Sequence, residues 1–588
     1  MSGRRVLRLL ARLGFTAGLL VAALPALAAK GAKPVLGPPE FGPNVLIFNP
    51  SMPSQLIQKQ IDAVYAIQQY NEFGPQRNAL LFLPGSYAVD VPVGFYTEVI
   101  GLGESPDATR IEGSVHADAS REHNNATTTF WRAAEGLSIK PTGGTMQWAV
   151  SQAVSLRRMH VRGDLVLHQN HGWASGGWMS DSLVDGNVGS GSQQQWISRN
   201  CDWKSWTGAN WNMVFVGVVH PPEGTWPSPP YTKVARTPIV REKPFLQVNA
   251  AGEFSVRVPE LYTDSVGITW RGGETAGETN PIERFYIAHP DVDTADTINT
   301  QLAQGKNLIL TPGIYELTAP IRVTRPRTVV LGLGFATLRP VKGTAAMTTA
   351  DADGIEIAGL LLDAGPIESP VLLEVGPEGS RASHAKDPIT LHDVFFRVGG
   401  AGVGRAKVNL RINSNDTLVD HTWIWRADHG AGVGWELNTS ENGLVVNGNG
   451  VTIYGLFVEH HQQFQVLWKG NGGRTYFYQS EIPYDPPNQA SYTSAPGVNG
   501  WASYKVADGV TSHEAWGLGV YSVFHHPDVV LTRAIETPDL SKKSPEIRFH
   551  DMITVALGDH GAINHVIDNT GEATAMHPRV TPKVTNFP

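Results

Sequence analysis

Only one cysteine, Cys201, stands in the 588 residues, so no intramolecular disulfide can staple this chain and its stability must come from a large core. With no Cys-His pattern around it, that cysteine reads as a small buried hydrophobe rather than a nucleophile. Charge is scarce as well: 17% of residues are charged, the net charge is -8, and no block of five like charges occurs, which excludes the electrostatic footprint of a nucleic-acid binder. Beyond the N-terminus there is no apolar run of the ~20 residues that a membrane-spanning helix needs. No Asp cluster of the calcium-binding kind is present. The two Asp-His steps, Asp420-His421 and Asp428-His429, put neighbouring side chains on opposite faces of a strand, so neither is a chelating pair. No metal and no cofactor is therefore expected.

What is present points to a turn-rich β protein. Hydrophobic residues make up 41% of the chain, and 62 Gly and 40 Pro supply many turns without a collagen-like triplet period. The 16 Trp exceed the 15 Tyr; indoles ordinarily fill cores, and exposed ones offer a platform for the apolar faces of sugars. At the N-terminus Arg4, Arg5, Arg8 and Arg12 precede the apolar run Gly14 to Leu24, and Ala26-Leu27-Ala28 offers a small-residue cleavage site. Residues 1–28 are thus expected to be a signal peptide, leaving a secreted or periplasmic protein that begins near Ala29 and has no membrane segment.

An internal repeat gives the organisation. Leu80-Leu81-Phe82-Leu83-Pro84-Gly85-Ser86-Tyr87 recurs as Leu308-Ile309-Leu310-Thr311-Pro312-Gly313-Ile314-Tyr315, and each copy is followed by a Gly-Leu-Gly segment, Gly101-Leu102-Gly103 and Gly332-Leu333-Gly334. A short amphipathic helix precedes each copy, at Ser54 to Gln69 and Asp296 to Ala303. Beyond these openings helical periodicity nearly vanishes, and short β-type runs separated by Gly, Asn and Asp repeat about every 20 to 25 residues. This pattern predicts an all-β chain of two tandem right-handed parallel β-helices, over 29–220 and 286–588, joined by an inter-domain link at 221–285 that is rich in Pro and polar residues. A propeller would need a ~40 to 50 residue repeat that the sequence does not show.

Such a stack brings residues one coil apart into register. Glu459 and Glu481 are 22 residues apart, about one coil, so their carboxylates would be neighbours at the ~4.8 Å strand spacing. Two adjacent carboxylates resist joint ionisation, which raises the pKa of one and makes it a general acid at neutral pH. Trp468, Tyr476, Tyr478 and Tyr484 gather aromatic surface around the pair. In the first half Gln152, Ser175 and Gln194 recur at similar intervals and can form a polar ladder holding water or sugar hydroxyls, or one that merely satisfies itself.

The segments Trp148–Leu156, Ser175–Asp181, Gln194–Asn200, Trp423–His429 and Gln479–Tyr484, in this order, resemble family 55 of the glycoside hydrolases, over roughly residues 40 to 570. The resemblance implies two tandem, pectate-lyase-like β-helices with an active site in the cleft between them, and a mostly exo-acting β-1,3-glucanase. It implies inverting hydrolysis with Glu481 as general acid, Glu459 as a second acidic position, and Gln152 and Ser175 positioning the water, with Gln194 or Gln195 nearby. Trp425, Asp428, His429 and Tyr484 would bind the sugar. Ile482 replaces the Thr expected after the acid, and Asp485-Pro486-Pro487 stiffens the exit from that loop. Inverting enzymes usually separate their carboxylates by ~6.5 to 9.5 Å, more than the ~4.8 Å between coils, which leaves the base open between Glu459 and the Gln/Ser network. The expected partner is a neutral polysaccharide or oligosaccharide, with no nucleic acid, and a monomer is expected. A polysaccharide lyase and a non-catalytic glycan-binding or surface β-helix are the alternatives.

Overall fold

Alternation within short strands decides which residues meet. Leu80 and Phe82 turn into one apolar interior with Val99, Ile111 and Val154, whereas Leu81 turns outward with Ile100 into a second cluster, as successive side chains on a strand must. The computed structural model describes residues 38–119, 123–540 and 546–588; the expected signal peptide at 1–28 lies outside the described residues. From Val45–Phe48 onward each coil adds one strand to a nine-stranded parallel sheet, which runs through Asn78–Phe82, Thr97–Gly101, Arg132–Glu135 and Val154–Arg157 to Tyr231–Val234. An eight-stranded sheet forms the opposite wall. A second stack repeats the plan with a twelve-stranded sheet beginning at Phe285–Ala288 and an eight-stranded companion. Each stack opens with a helix, Ser54–Gln68 or Ala295–Ala303, whose buried Ile57 and Ile61, or Ile298 and Leu302, join the interior of that stack.

Two expected boundaries differ. The first stack continues past 220, because Tyr231–Val234 pairs in parallel with Met213–Val216 and Tyr231 packs edge-on against Phe215 at 5.5 Å. The stretch 221–285 is also more than a link. Phe245–Val248, Phe254–Pro259 and Gly277–Pro281 form an antiparallel sheet, and Leu246, Val248, Phe254 and Val256 share an apolar cluster with Leu81, Ile100, Ile309 and Leu331 of the two stacks. Its alternating apolar residues make it a wedge with a buried face. No described helix is long and apolar enough to cross a membrane.

The larger parallel sheets of the two stacks face one another. Tyr96, Trp131, Trp178, Ile197 and Val214 of the first meet Phe395, Trp423, Trp425, Tyr454, Phe457 and Tyr476 of the second. In the second stack this face is reset once per coil by a residue in the left-handed region: Asp393, His421, Gly455, Phe477, Gly517 and Asp551 all have φ between 49° and 75°. Each breaks the in-out alternation of its strand, and neighbouring coils break it at matching positions, so the pairing stays one-to-one. In Thr452–Glu459, Ile453 points inward and Tyr454 outward; after the break at Gly455, Leu456 and Val458 point inward and Phe457 outward. A side chain at Gly455 would place its Cβ 2.6 Å from Trp178 Cε3, so glycine here permits both the break and the close approach of the stacks.

Ion pairs buried between the sheets hold the stacks together. Arg157 donates to Asp393 Oδ2 at 2.7 Å and Asp420 Oδ2 at 2.7 Å, and Arg199 donates to Asp420 Oδ1 at 2.9 Å and Glu242 Oε1 at 2.6 Å. Lys243 adds contacts to Glu98 at 3.0 Å and Glu135 at 2.8 Å. Burial would raise both aspartates, but Arg157 and then His421 hold Asp393, and Arg199 and then Arg157 hold Asp420, far below the usual carboxylate range.

Candidate active site

These strands set the site at the far end of this interface. Phe457 pairs with Gln479, and two residues further along both strands stand Glu459 and Glu481 on the same outward face. The one-coil spacing expected from sequence therefore holds. Trp425 pairs with Glu459 on the other side, and Tyr521 pairs with Glu481. Glu459 is 2% exposed and fully engaged: Oε1 accepts from Gln152 Nε2 at 2.8 Å and Gln479 Nε2 at 2.7 Å, and Oε2 accepts from Trp423 Nε1 at 2.8 Å. Ser175 Oγ donates to Gln152 Oε1 at 3.1 Å, so the polar ladder of the first stack ends on a carboxylate of the second. Burial pushes Glu459 up to about 7, against the three N–H donors that favour its charged form. Glu481 is driven well above the ordinary glutamate value, first by burial and then by the charges of Glu459 and Asp428. Tyr484 Oη donates to Glu481 Oε2.

A cavity of about 340 Å³ opens onto this pair, lined by Gln152, Ser175 and Gln194 from the first stack and by Trp425, Asp428, His429, Glu459, Glu481 and Tyr484 from the second. Beside it a bridge joins the stacks: His429 Nε2 meets Glu72 Oε1 at 2.8 Å, while His429 Nδ1 meets Asp428 Oδ1 at 3.0 Å. Burial opposes the charge on His429, but these two carboxylates lift it to about 10; Asp428, despite its own burial, is held at about 2 by His429 and His460. His429 and Asp428 are thus an ion pair at neutral pH.

Gln195 does not belong to the lining. It alternates with Gln194 on its strand, lies 1% exposed, and spends its amide on Ser175 O. Trp425 does line the cavity but is 1% exposed, stacked on Trp423 at 4.7 Å, so it offers an edge rather than an open platform. Sequence reasoning assigned no site role to Trp423 or Gln479, both of which hold Glu459. Each was within reach of the same logic, lying two residues from Trp425 and Glu481 on an outward face. Phe130, Thr127 and Thr128 also line the cavity and Glu72 holds His429 on its wall; all four arrive on first-stack loops about 300 residues away in sequence, where no local pattern marks them. Among the described residues no group of three His, Cys, Asp or Glu side chains is placed to hold a metal. Cys201 is buried, its Sγ against Met179 O at 3.5 Å.

Residues 285–481 match the LAM55 pectate lyase-like domain family. An exo-beta-1,3-glucanase of Streptomyces sp. (strain SirexAA-E / ActE) is 46% identical over 560 residues, which span 95% of this chain and 91% of that protein. The chain belongs to glycoside hydrolase family 55. The fold agrees with this family 55 assignment: the structure of sacteLam55A from Streptomyces sp. SirexAA-E superposes with a TM-score of 0.91 at 46% identity, covering 94% of this chain and 100% of that one. A glutamate-to-alanine variant of sacteLam55A in complex with glucose matches equally well, with a TM-score of 0.91 at 45% identity, covering 95% of this chain and 100% of that one. The family 55 chain is accordingly a pectate-lyase-like β-helix protein.

Proposed function

We propose that this family 55 chain is a secreted, exo-acting β-1,3-glucan hydrolase that inverts the anomeric centre, with Glu481 as its general acid. The observation that carries the reading is the pairing of a carboxyl that favours its proton, Glu481, with a neighbouring carboxylate, Glu459, held by three N–H donors at the bottom of a narrow cavity. Its relatives at 45 to 46% identity include an exo-β-1,3-glucanase and a glucose complex. In the reaction the bond between C1 and the glycosidic oxygen breaks, and that oxygen takes the proton of Glu481. A water on the opposite face of the sugar forms the new C1–O bond. Gln152 and Ser175 on the facing stack supply the polar wall for this water, and its proton ends on Glu459, the carboxylate to which that wall connects. Because the base works through a wall on the other stack, the narrow spacing of the two strands does not prevent inversion.

The similarity to an exo-β-1,3-glucanase at 46% identity supports attack on a terminal sugar rather than within a chain. Incubation with soluble β-1,3-glucan, followed by chromatography, is expected to show glucose as the first product. A ladder of longer oligosaccharides at early times would contradict exo action. A lyase reading is disfavoured, since the ionised Asp428 and the carboxylate of Glu459 would repel the uronate that a lyase binds.

Trp423→Phe removes the N–H that favours the charged form of Glu459, so the pKa of Glu459 rises. The acid limb of the kcat/KM profile is expected to move to higher pH, by about one unit for a charge-assisted hydrogen bond. An unmoved acid limb would show that Glu459 need not be ionised for turnover. Secretion rests on the Arg-rich, then apolar, N-terminus: sequencing of exported protein is expected to begin near Ala29, and an intact Met1 would contradict it.

A further inference from the structure

A cavity larger than the catalytic one lies elsewhere on the described residues. A groove of about 910 Å³ lies where the wedge at 245–281 meets the opening coils of the second stack, lined by residues including Arg241, Asn280, Gln304, Glu356 and Lys386. Glu356 stands at the first residue of its strand, whereas Glu459 ends a strand three coils on, in line with Thr390, Leu418 and Thr452. At ~3.3 Å per residue and ~4.8 Å per coil, the two sites are about 25 Å apart.

The wall of this groove leaves three buried polar atoms without a partner among the described residues. Glu356 is 1% exposed, and its Oε1 takes Arg241 Nη1 at 3.2 Å, but Oε2 has no hydrogen-bond partner among the described residues; the same holds for Nε of Arg241 and Nε of Arg325. Buried polar atoms are normally satisfied, and unmet ones in a roomy cleft call for a ligand or water. The charges nearly cancel. Six cationic and five acidic side chains line the groove, and Asp387 pairs with both Arg241 at 2.9 Å and Arg327 at 2.7 Å. Neither an anion nor a cation gains from such a wall. A neutral ligand whose groups both donate and accept does, because each hydroxyl can give to a carboxylate and take from a guanidinium.

We infer that this groove is a second carbohydrate site, which holds a segment of neutral polysaccharide away from the catalytic cavity. That the segment comes from the enzyme's own β-1,3-glucan rests on the proposed function; the carbohydrate class itself does not. No aromatic ring lines the groove, so binding is weak and acts by keeping a polymer near the enzyme.

The test uses a Glu481→Gln background, so that the polymer survives, and affinity electrophoresis through gels containing soluble β-1,3-glucan or, in parallel, other neutral polysaccharides. Gln304→Ala with Lys386→Ala changes two exposed rim residues, and Glu356→Gln changes the buried one. Each is expected to weaken retention by about tenfold, the loss of one to two hydrogen bonds. In the otherwise wild-type enzyme the rim variant should leave kcat/KM on a short oligosaccharide unchanged. Hydrogen exchange is expected to slow at 277–284 and 304–307 on adding oligosaccharide. Retention that is unchanged in the rim variant, with no protection of these segments by any of the polysaccharides, overturns the second site. Protection by another neutral polysaccharide, in a protein that does not cleave β-1,3-glucan, would keep the site and overturn the glucanase reading instead.

Discussion

Glu481→Gln is expected to lower kcat on β-1,3-glucan by about 10²- to 10⁴-fold, the ordinary worth of a positioned general acid, with KM little changed. The amide keeps the size of the side chain but has no acidic proton to give. The loss should depend on the leaving group: an aryl glucoside whose phenolate departs without protonation should be cleaved by the variant at a rate much closer to wild type. A misfolded site would lose both substrates alike, so the comparison isolates acid catalysis. The pH profile gives a second check. The alkaline limb reports loss of the proton shared by Glu459 and Glu481, whose titrations are coupled through their proximity. Burial sets much of the elevation of Glu481, and the charge of Glu459 adds to it. Glu459→Gln removes that charge and should therefore move the alkaline limb of its residual activity to lower pH.

Asp420→Ala is expected to destabilise the protein by about 3–5 kcal/mol, the cost of breaking a buried ion pair from one side. Asp420 is 2% exposed and accepts from both Arg157 and Arg199; without it, two buried guanidinium groups each lose a partner at the interface of the stacks. Thermal inactivation should quicken accordingly, and a variant as durable as wild type would show that the network is dispensable. The sign of its pH dependence follows from the same contacts. The folded pKa of Asp420 and Asp393 lies below the unfolded value near 3.9. Their stabilisation is thus present above that value and is lost only as pH falls from there towards the folded pKa. Acid unfolding of the wild type should begin below about pH 4, and the Asp420→Ala protein should lack this contribution at neutral pH already.

The sequence carried the fold wherever a rule of period applied. The repeated Pro-Gly segments at Pro84-Gly85 and Pro312-Gly313 mark equivalent coils, and the spacing of Glu459 and Glu481 was readable because a coil in this region takes 22 residues, as the pairing of Phe457 with Gln479 shows. Period also explains two misses. Choosing between Gln194 and Gln195 needs the phase of the alternation, and in the first stack the phase is reset by left-handed residues such as Trp131 and Ala153, which no composition announces. The link at 221–285 was read from its prolines, whereas its apolar alternation, Leu246, Val248, Phe254 and Val256, is what makes it a packed wedge. Glu72 and Phe130 were beyond reach for a different reason: they enter the site through contacts between the stacks, which sequence separation hides.

The central claim is that Glu481 and Glu459 hydrolyse β-1,3-glucan with inversion. Proton NMR of the anomeric signals in the first minutes of reaction, before mutarotation, tests it most directly. α-Glucose released by the wild type, and not by Glu481→Gln at equal enzyme concentration, is the predicted result; β-glucose as the first product, or equal release by the variant, would contradict it.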